Sequence, residues 1–265
     1  MKIAKSTYQS LKQIYINNPY NIIFVMISTM LVLCIVMLIN IIEAVVFVGA
    51  NAFSIQLIIF NISSQLLYTG MMIGLIKIIF FIIDNKNKKI INIFNYFDLL
   101  PQIIVASIIN YVLLFFSLIP SLIIIYLKYG LENLKILYDY FLNQDPAFNA
   151  LLNSYINNAD IVYLLLLIIM PLLFISIKTA FMNFYIIDDS CTPIKALIKS
   201  WSITKNNIQN IVLIMILISL FNIMVGIITL GIGLLFTFPI SLLYFCQYFR
   251  IMKEEKNEKN EKTLD

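Results

Sequence analysis

Two lysines, Lys77 and Lys178, stand inside long apolar runs of this sequence. An ammonium group held among apolar residues is costly, and where it is kept it commonly faces a wet path, an ion or proton route, or a phosphate. Lys77 lies seven residues before Asp84, about 10 Å along a helix, so its stem can carry the charge to the headgroups. Lys178 lies ten residues before Asp188, too far for that reach unless its helix bends or ends early; Pro171 supplies one place for a bend. Lys178 is therefore expected to face a wet vestibule or to hold a lipid phosphate. Asn40, Glu43, Asn61, Gln65, Asn110, Asn183, Asn222 and Gln247 also interrupt apolar stretches. Such groups usually make interhelical hydrogen bonds worth about 0.6 kcal/mol each. Lys77, Lys178, Asn110 and Asn222 form the candidate set for a lipid site or an internal cavity.

Other chemistry is hard to build from this chain. There is no histidine, which removes the usual general base near neutral pH and the commonest metal ligand. No GxSxG, HExxH or phosphate-cradling glycine loop occurs, and no carboxylate pair recurs on one helix face. Cys34, Cys191 and Cys246 are far apart, without CxxC spacing, and read as small buried hydrophobes. Neither enzymatic activity nor a cofactor or metal is expected.

The elements that position these residues follow from composition. The 265 residues are 61% hydrophobic and 12% charged, with a mean hydropathy of +0.93. Soluble domains run about 45–50% apolar and about 25% charged, which excludes an ordinary water-soluble globule, and disorder needs the opposite balance. A membrane span needs about 20 apolar residues. Six runs qualify: Tyr20–Val48, Phe53–Ile83, Leu99–Leu127, Ile161–Ile187, Ile208–Leu230 and Ile232–Phe249, the first closing at Gly49-Ala50-Asn51 and the last two flanking Gly231. Continuous runs of this length are helices and not barrel strands, which would alternate in polarity. Lys2, Lys5 and Lys12 before the first run suggest a signal peptide, but that run far exceeds an h-region of about 7–15 residues, so an uncleaved span is expected.

Of the 18 Lys and Arg residues, all but Lys128 and Lys135 flank the same ends of these spans. The positive-inside bias then puts both termini in the cytoplasm. These basic clusters would also attract anionic lipid headgroups, at about 1 kcal/mol per Lys near the surface; no nucleic-acid partner is expected. Segment Gly130–Asp160 carries apolar residues at helical spacing and is expected to rest on the outer surface, while Lys253–Asp265 reads as a solvated, charged helix extension or as disorder.

Three segments precede the odd-numbered spans, Ile3–Ile16, Ile90–Leu100 and Pro193–Thr204, and each is amphipathic at i, i+3, i+4 spacing. All three are expected to be helices lying in the inner interface, with Trp201 at headgroup depth. Asn17 through Ile27 matches Asn206 through Ile216 at six of eleven positions, and Phe80–Asp84 matches Phe184–Asp188 at four of five. The implied unit is interfacial helix, span, span, in repeats 1–83, 84–187 and 188–250, all in one orientation about an axis along the membrane normal. These make one transmembrane domain, 1–250, followed by the tail, 251–265. Gly70 and Gly74 form a GxxxG pair suited to close helix packing. Pro120, Pro171 and Pro239 fall inside spans, where they can kink a helix.

The stretch Ile186-Ile187-Asp188, then Pro193 through Asn206, with Gly231-Ile232-Gly233 through Ile240, resembles a broad set of uncharacterised six-span bacterial membrane proteins. That set is similar to the membrane domain attached to some glycerophosphodiester phosphodiesterases. The motifs cover Ile186–Arg250, and Asn206 stands where the usual pattern has glycine. The resemblance implies an all-α, six-span fold in the bacterial cytoplasmic membrane and no agreed activity; no phosphodiesterase domain is present in this sequence. Two functional expectations remain. One is a non-enzymatic membrane component that organises lipid or a partner protein, such as an ATPase. The other is a transporter or channel for a small amphiphile or ion, with a cavity near the pseudo-threefold axis lined by Asn110, Lys178 or Asn222.

Overall fold

In hydrocarbon every backbone N–H and C=O must be satisfied within the chain, so apolar runs of 20 or so residues close into helices whatever their β-branched content. The computed structural model describes residues 2–47, 54–86, 89–142, 158–205 and 207–261. The expected turn at Gly49-Ala50-Asn51, Asn206 and the last four residues lie outside them. Helices α1 (Lys2–Asn17), α2 (Tyr20–Val46) and α3 (Ile55–Ile83) are followed by two 3-10 turns, Ile90–Phe94 and Phe97–Leu99. Then come α4 (Leu100–Leu142), α5 (Asn158–Thr179), α6 (Met182–Asp189), α7 (Pro193–Thr204), α8 (Ile208–Ile228) and α9 (Leu234–Glu261). Six segments are long and apolar enough to cross a membrane: Tyr20–Val46, Ile55–Ile83, Ile90–Lys128, Leu165–Asp189, Ile208–Ile228 and Leu234–Glu258. Their sides carry large apolar side chains in the open, Ile228 at 76% among them, a surface that lipid and not water must cover.

Three departures from the sequence reading have local causes. Segment Ile90–Leu100 is not an α-helix but a pair of 3-10 turns. It lies on α3 so closely that a Cβ at Gly74 would stand 2.0 Å from the Ile93 carbonyl oxygen, and one at Gly70 would stand 2.3 Å from the Phe97 ring. The GxxxG pair thus receives this segment, and Ile93 is fully buried against it. The fourth span is interrupted: α5 ends one residue after Lys178, and α6 restarts after Phe181 (φ −100°, ψ 5°), so the break falls beyond Pro171. The third continues past its expected end to Leu142, with Gly130 (φ 73°) breaking the helical path; side chains beyond it, and residues 143–157, lie outside the description. The charged tail, in contrast, follows the first of its two readings, extending α9 as a helix to Glu261.

The chain divides into two compact units, Met1–Ala106 with Phe181–Asp265, and Ser107–Ala180. In the first, α9 lies against α1, α2, α3 and α8, and α6 against α3 and α7. Tyr244 donates to the Ala4 carbonyl at 3.5 Å and Gln247 Nε2 to Ser10 Oγ at 2.7 Å, tying α1 to α9. Helix α7 opens with Pro193, as the first turn allows. It buries Ala196, Ser200 and Ile203 and exposes Ile194, Ile198 and Trp201 on the other side, the two-faced pattern of an interfacial helix. In the second unit α4 and α5 run antiparallel: Thr179 Oγ1 donates to Asn110 Oδ1 at 2.9 Å, and Ser121 Oγ to the Leu167 carbonyl at 2.6 Å. Lys128 Nζ stands 5.5 Å from the Tyr163 ring centre.

Candidate functional site

The last turns of α3 and α6 carry the matching pentapeptides Phe80–Asp84 and Phe184–Asp188, so each ends in an aromatic four residues before an aspartate. Helix α9 brings Arg250, the sole arginine of the sequence, to both carboxylates. Its Nη2 lies 3.0 Å from Asp84 Oδ2 and 2.8 Å from Asp188 Oδ1, and its Nη1 lies 2.9 Å from Asp188 Oδ2. The two-pronged contact with Asp188 uses the planar fork that suits guanidinium to carboxylate. Lys253, one turn on, reaches Asp188 Oδ2 at 2.5 Å and also pairs with Asp189. Lys199 on α7 closes the cluster at 2.6 Å from Asp189 Oδ2. The hydrogen bond from Lys199 to Asp189 raises its ammonium pKa above the ordinary value. Burial pushes the Cys191 thiol up, which leaves it a poor nucleophile.

Beneath the charges sits an aromatic plug. Phe249 lies 5.9 Å from Phe80, 5.5 Å from Phe184 and 5.6 Å from Phe181, centre to centre, with Phe181 also stacked on Phe245 at 5.3 Å. Tyr185 meets Phe249 edge to face at 4.9 Å. Arg250 caps this plug, its guanidinium 4.9 Å from the Phe80 ring centre, a favourable cation–π placement. Three helices from distant parts of the sequence therefore converge through rings below and charges above.

The residues singled out from sequence fall in separate places. Lys77 donates to the Ile187 carbonyl at 2.7 Å and so caps the C-terminal end of α6, where carbonyls lack helical partners and a cation is favoured. Lys178 is 6% exposed, its Nζ 5.6 Å from the Phe174 ring centre. Asn110 accepts its bond from Thr179, the residue after Lys178, so the second unit brings these two candidates near each other. Asn222 instead joins α8 to α9, with Nδ2 3.0 Å from Ser241 Oγ.

Cavities open between described helices of the first unit, two of them notable. One, about 220 Å³ and largely apolar, lies between α8 and α9 against Ile214, Phe221, Ile240, Ser241 and Tyr244. The other, about 240 Å³, lies between α2 and α3 and is lined by Asn40, Glu43, Asn61, Ser64, Gln65 and Tyr68. Neither is lined by Asn110, Lys178 or Asn222. Among the described residues no cluster of three or more His, Cys, Asp or Glu could hold a metal ion. Sequence reasoning passed over the Asp84–Asp188–Arg250 cluster, although the repeated pentapeptide and the lone arginine were both visible. Comparison with family models, with curated proteins and with solved structures returns no significant match.

Proposed function

We propose that this chain is a multi-pass component of the bacterial cytoplasmic membrane that organises lipid or a partner protein around a fixed bundle, with no chemical step of its own. The observation that carries this reading is the closed convergence of α3, α6 and α9. There, rings fill the centre and Arg250 locks two helix ends at 2.8–3.0 Å. A ring-filled, ion-paired junction of this kind is packed like a protein interior and fixes these helix ends relative to one another. The distribution of Lys and Arg supports a cytoplasmic side for both termini and the ion-pair cluster. In that orientation α1 and α7 lie along the inner interface, and Asp84, Asp188 and Arg250 end the second span of each of three like-oriented units. The exposed Ile194, Ile198 and Trp201 face of α7 would sit among lipid, with Lys195 available to anionic headgroups.

One observation favours the second reading, transport of a small amphiphile or ion: the fourth span breaks beside the buried Lys178, and broken helices build many transporter sites. Purification in mild detergent from native cells, with mass spectrometry of co-purifying protein and lipid, separates the two. A stoichiometric partner such as an ATPase, or an enriched anionic lipid, is the expected outcome. Solute flux through liposomes carrying this chain alone, abolished by Lys178→Met, would replace the organising role with transport.

A further inference from the structure

The α2–α3 hairpin is packed unevenly along its length. In α2 the buried residues are Asn21, Val25, Ser28, Thr29 and Val32, all in the half nearest α1; in α3 they run from Gly70 to Ile82, the half nearest the ion-pair cluster. Toward the other end the helices leave the cavity of about 240 Å³ between them. Two sequence patterns aim polar groups into it: Asn40 and Glu43 on α2, and Asn61, Ser64, Gln65 and Tyr68 on α3, spaced as one helix face each. Val36 and Ile39 give it an apolar floor. Glu43 stands within one turn of the end of α2, at the level where hydrocarbon gives way to headgroups. Gln65 is ten residues into α3, about 15 Å along the axis.

The chemistry of the lining selects its ligand. Glu43 is the one charged residue in it, and none of the lining residues is a Lys or Arg. No salt bridge joins Glu43 to a cation among the described residues. A lone carboxylate attracts a counter-cation and repels an anion, which disfavours an anionic ligand. Calcium takes six to eight oxygens and magnesium a strict octahedron, a poor match to one carboxylate among amides. A quaternary ammonium prefers a cage of aromatic faces, and Tyr68 is the single ring in this lining. A primary ammonium has three donors and no acceptor, which suits the Glu43 carboxylate with the Asn40, Asn61 and Gln65 carbonyl oxygens. The Gln65 backbone carbonyl accepts from Thr69 Oγ1 and the Glu43 backbone carbonyl from the Phe47 N–H, while among the described residues the four side-chain oxygens have no donor and stay open to a ligand.

We infer that the α2–α3 cavity binds the primary ammonium group of an amphiphile, with Glu43 as counter-ion and the carbon chain running over Val36 and Ile39 toward lipid. The ammonium belongs either to an ethanolamine headgroup or to a free long-chain amine. The inference deepens the lipid-organising reading and rests on it, yet its failure would leave the co-purification test above unaffected.

Native mass spectrometry of the full chain released from nanodiscs tests it. One arm uses phosphatidylcholine discs with a minor share of phosphatidylethanolamine; the other uses phosphatidylcholine discs with decylammonium, and decanol as the uncharged control. Retention of phosphatidylethanolamine identifies the lipid source, and retention of decylammonium alone identifies a free amphiphile; either supports the site. Glu43→Gln and Asn61→Leu are each expected to lower the adduct, Glu43→Gln by about tenfold or more because a hydrogen bond to a charged group is lost. The comparison of ethanolamine with choline lipid on the unaltered chain needs no variant, and a melting curve for each variant reports its folding. Equal retention of choline and ethanolamine lipid together with decylammonium held no better than decanol, or equal adducts with and without Glu43, would overturn the proposal.

Discussion

Replacing Arg250 with methionine removes the guanidinium while keeping most of the side-chain volume. Asp188 is then left 7% exposed with Lys253 as its remaining partner, and Asp84, at 26%, loses its contact with α9. Breaking a fully buried ion pair from one side costs about 3–5 kcal/mol. The persisting Lys253 contact and the partial exposure of Asp84 reduce that to about 2–3 kcal/mol, with the loss of the Phe80 cation–π contact included. At about 2–4 °C per kcal/mol for a chain of this size, the midpoint of thermal unfolding should fall by about 4–12 °C. Circular dichroism at the helix band, in one detergent and at fixed protein concentration, reads this directly.

The size of the drop alone does not assign the cause, so the cycle with Asp188→Asn completes the test. Residues in direct contact couple by about 0.5–3 kcal/mol, and the double variant Arg250→Met, Asp188→Asn should melt clearly above the sum of the two single losses. Arg250→Lys should fall between, since a lysine keeps the charge but not the two-pronged geometry. An Arg250→Met midpoint unchanged within error, or single losses that simply add, would refute the view that this cluster holds α3, α6 and α9 together.

Gly74→Ala should destabilise by about 1–3 kcal/mol because its Cβ meets the Ile93 backbone at 2.0 Å, whereas Gly70→Ala meets only the movable Phe97 ring and should cost less; melting of the two variants decides. Lys77→Met should cost about 1–2 kcal/mol through the lost bond to the Ile187 carbonyl, a smaller shift than Arg250→Met in the same assay. Lys199 has its folded-state pKa raised by Asp189 from 10.5. Its contribution is therefore present in full below the unfolded value and disappears as pH rises through the higher folded value. With the side chain 44% exposed the effect stays below about 1 kcal/mol, and the melting difference between wild type and Lys199→Met should close as pH climbs past about 10.5. A membrane-impermeant maleimide should label Cys191 in inverted vesicles and not in right-side-out ones, slowly at neutral pH because burial raises that thiol; labelling from the outer side would reverse the proposed orientation.

The spans were legible because hydrocarbon imposes one solution on an apolar run: its length and its backbone requirement are both fixed by the bilayer. What periodicity could not show was where a helix yields to a neighbour. Ile90–Leu100 has the apolar spacing of an α-helix, but Gly70 and Gly74 let it approach α3 so closely that 3-10 turns result. The break after Lys178 carries no glycine or proline at Ala180 or Phe181; it coincides with Phe181 turning into the ring cluster of α9, a tertiary cause no local window contains. Among the charged residues, the reading was drawn to Lys77 and Lys178 because they interrupt apolar runs. It undervalued Asp84, Asp188 and Arg250, which sit at span ends, where charges are ordinary. Whether such charges pair depends on which helix ends meet, and that is a property of the fold.

Glu43, Asn40, Asn61 and Gln65 show the opposite relation between sequence and structure. Each was visible as a polar residue in a span, and each invited the reading of an interhelical hydrogen bond. Among the described residues none of the four side chains makes such a bond, and the hairpin closes on small and apolar side chains at one end and leaves about 240 Å³ at the other. A bond between amides across the hairpin would need the helices to stay near contact distance over their whole length. The tight end is fixed by Gly70, Gly74 and the docked 3-10 turns, and Thr29 buried in α2 returns its hydroxyl to its own helix at the Val25 carbonyl. The polar groups at the wide end consequently have acceptors to spare and room for a guest. Stability concentrated at the clamped end is what permits an open site at the other, because the hairpin does not depend on the cavity being filled in order to fold.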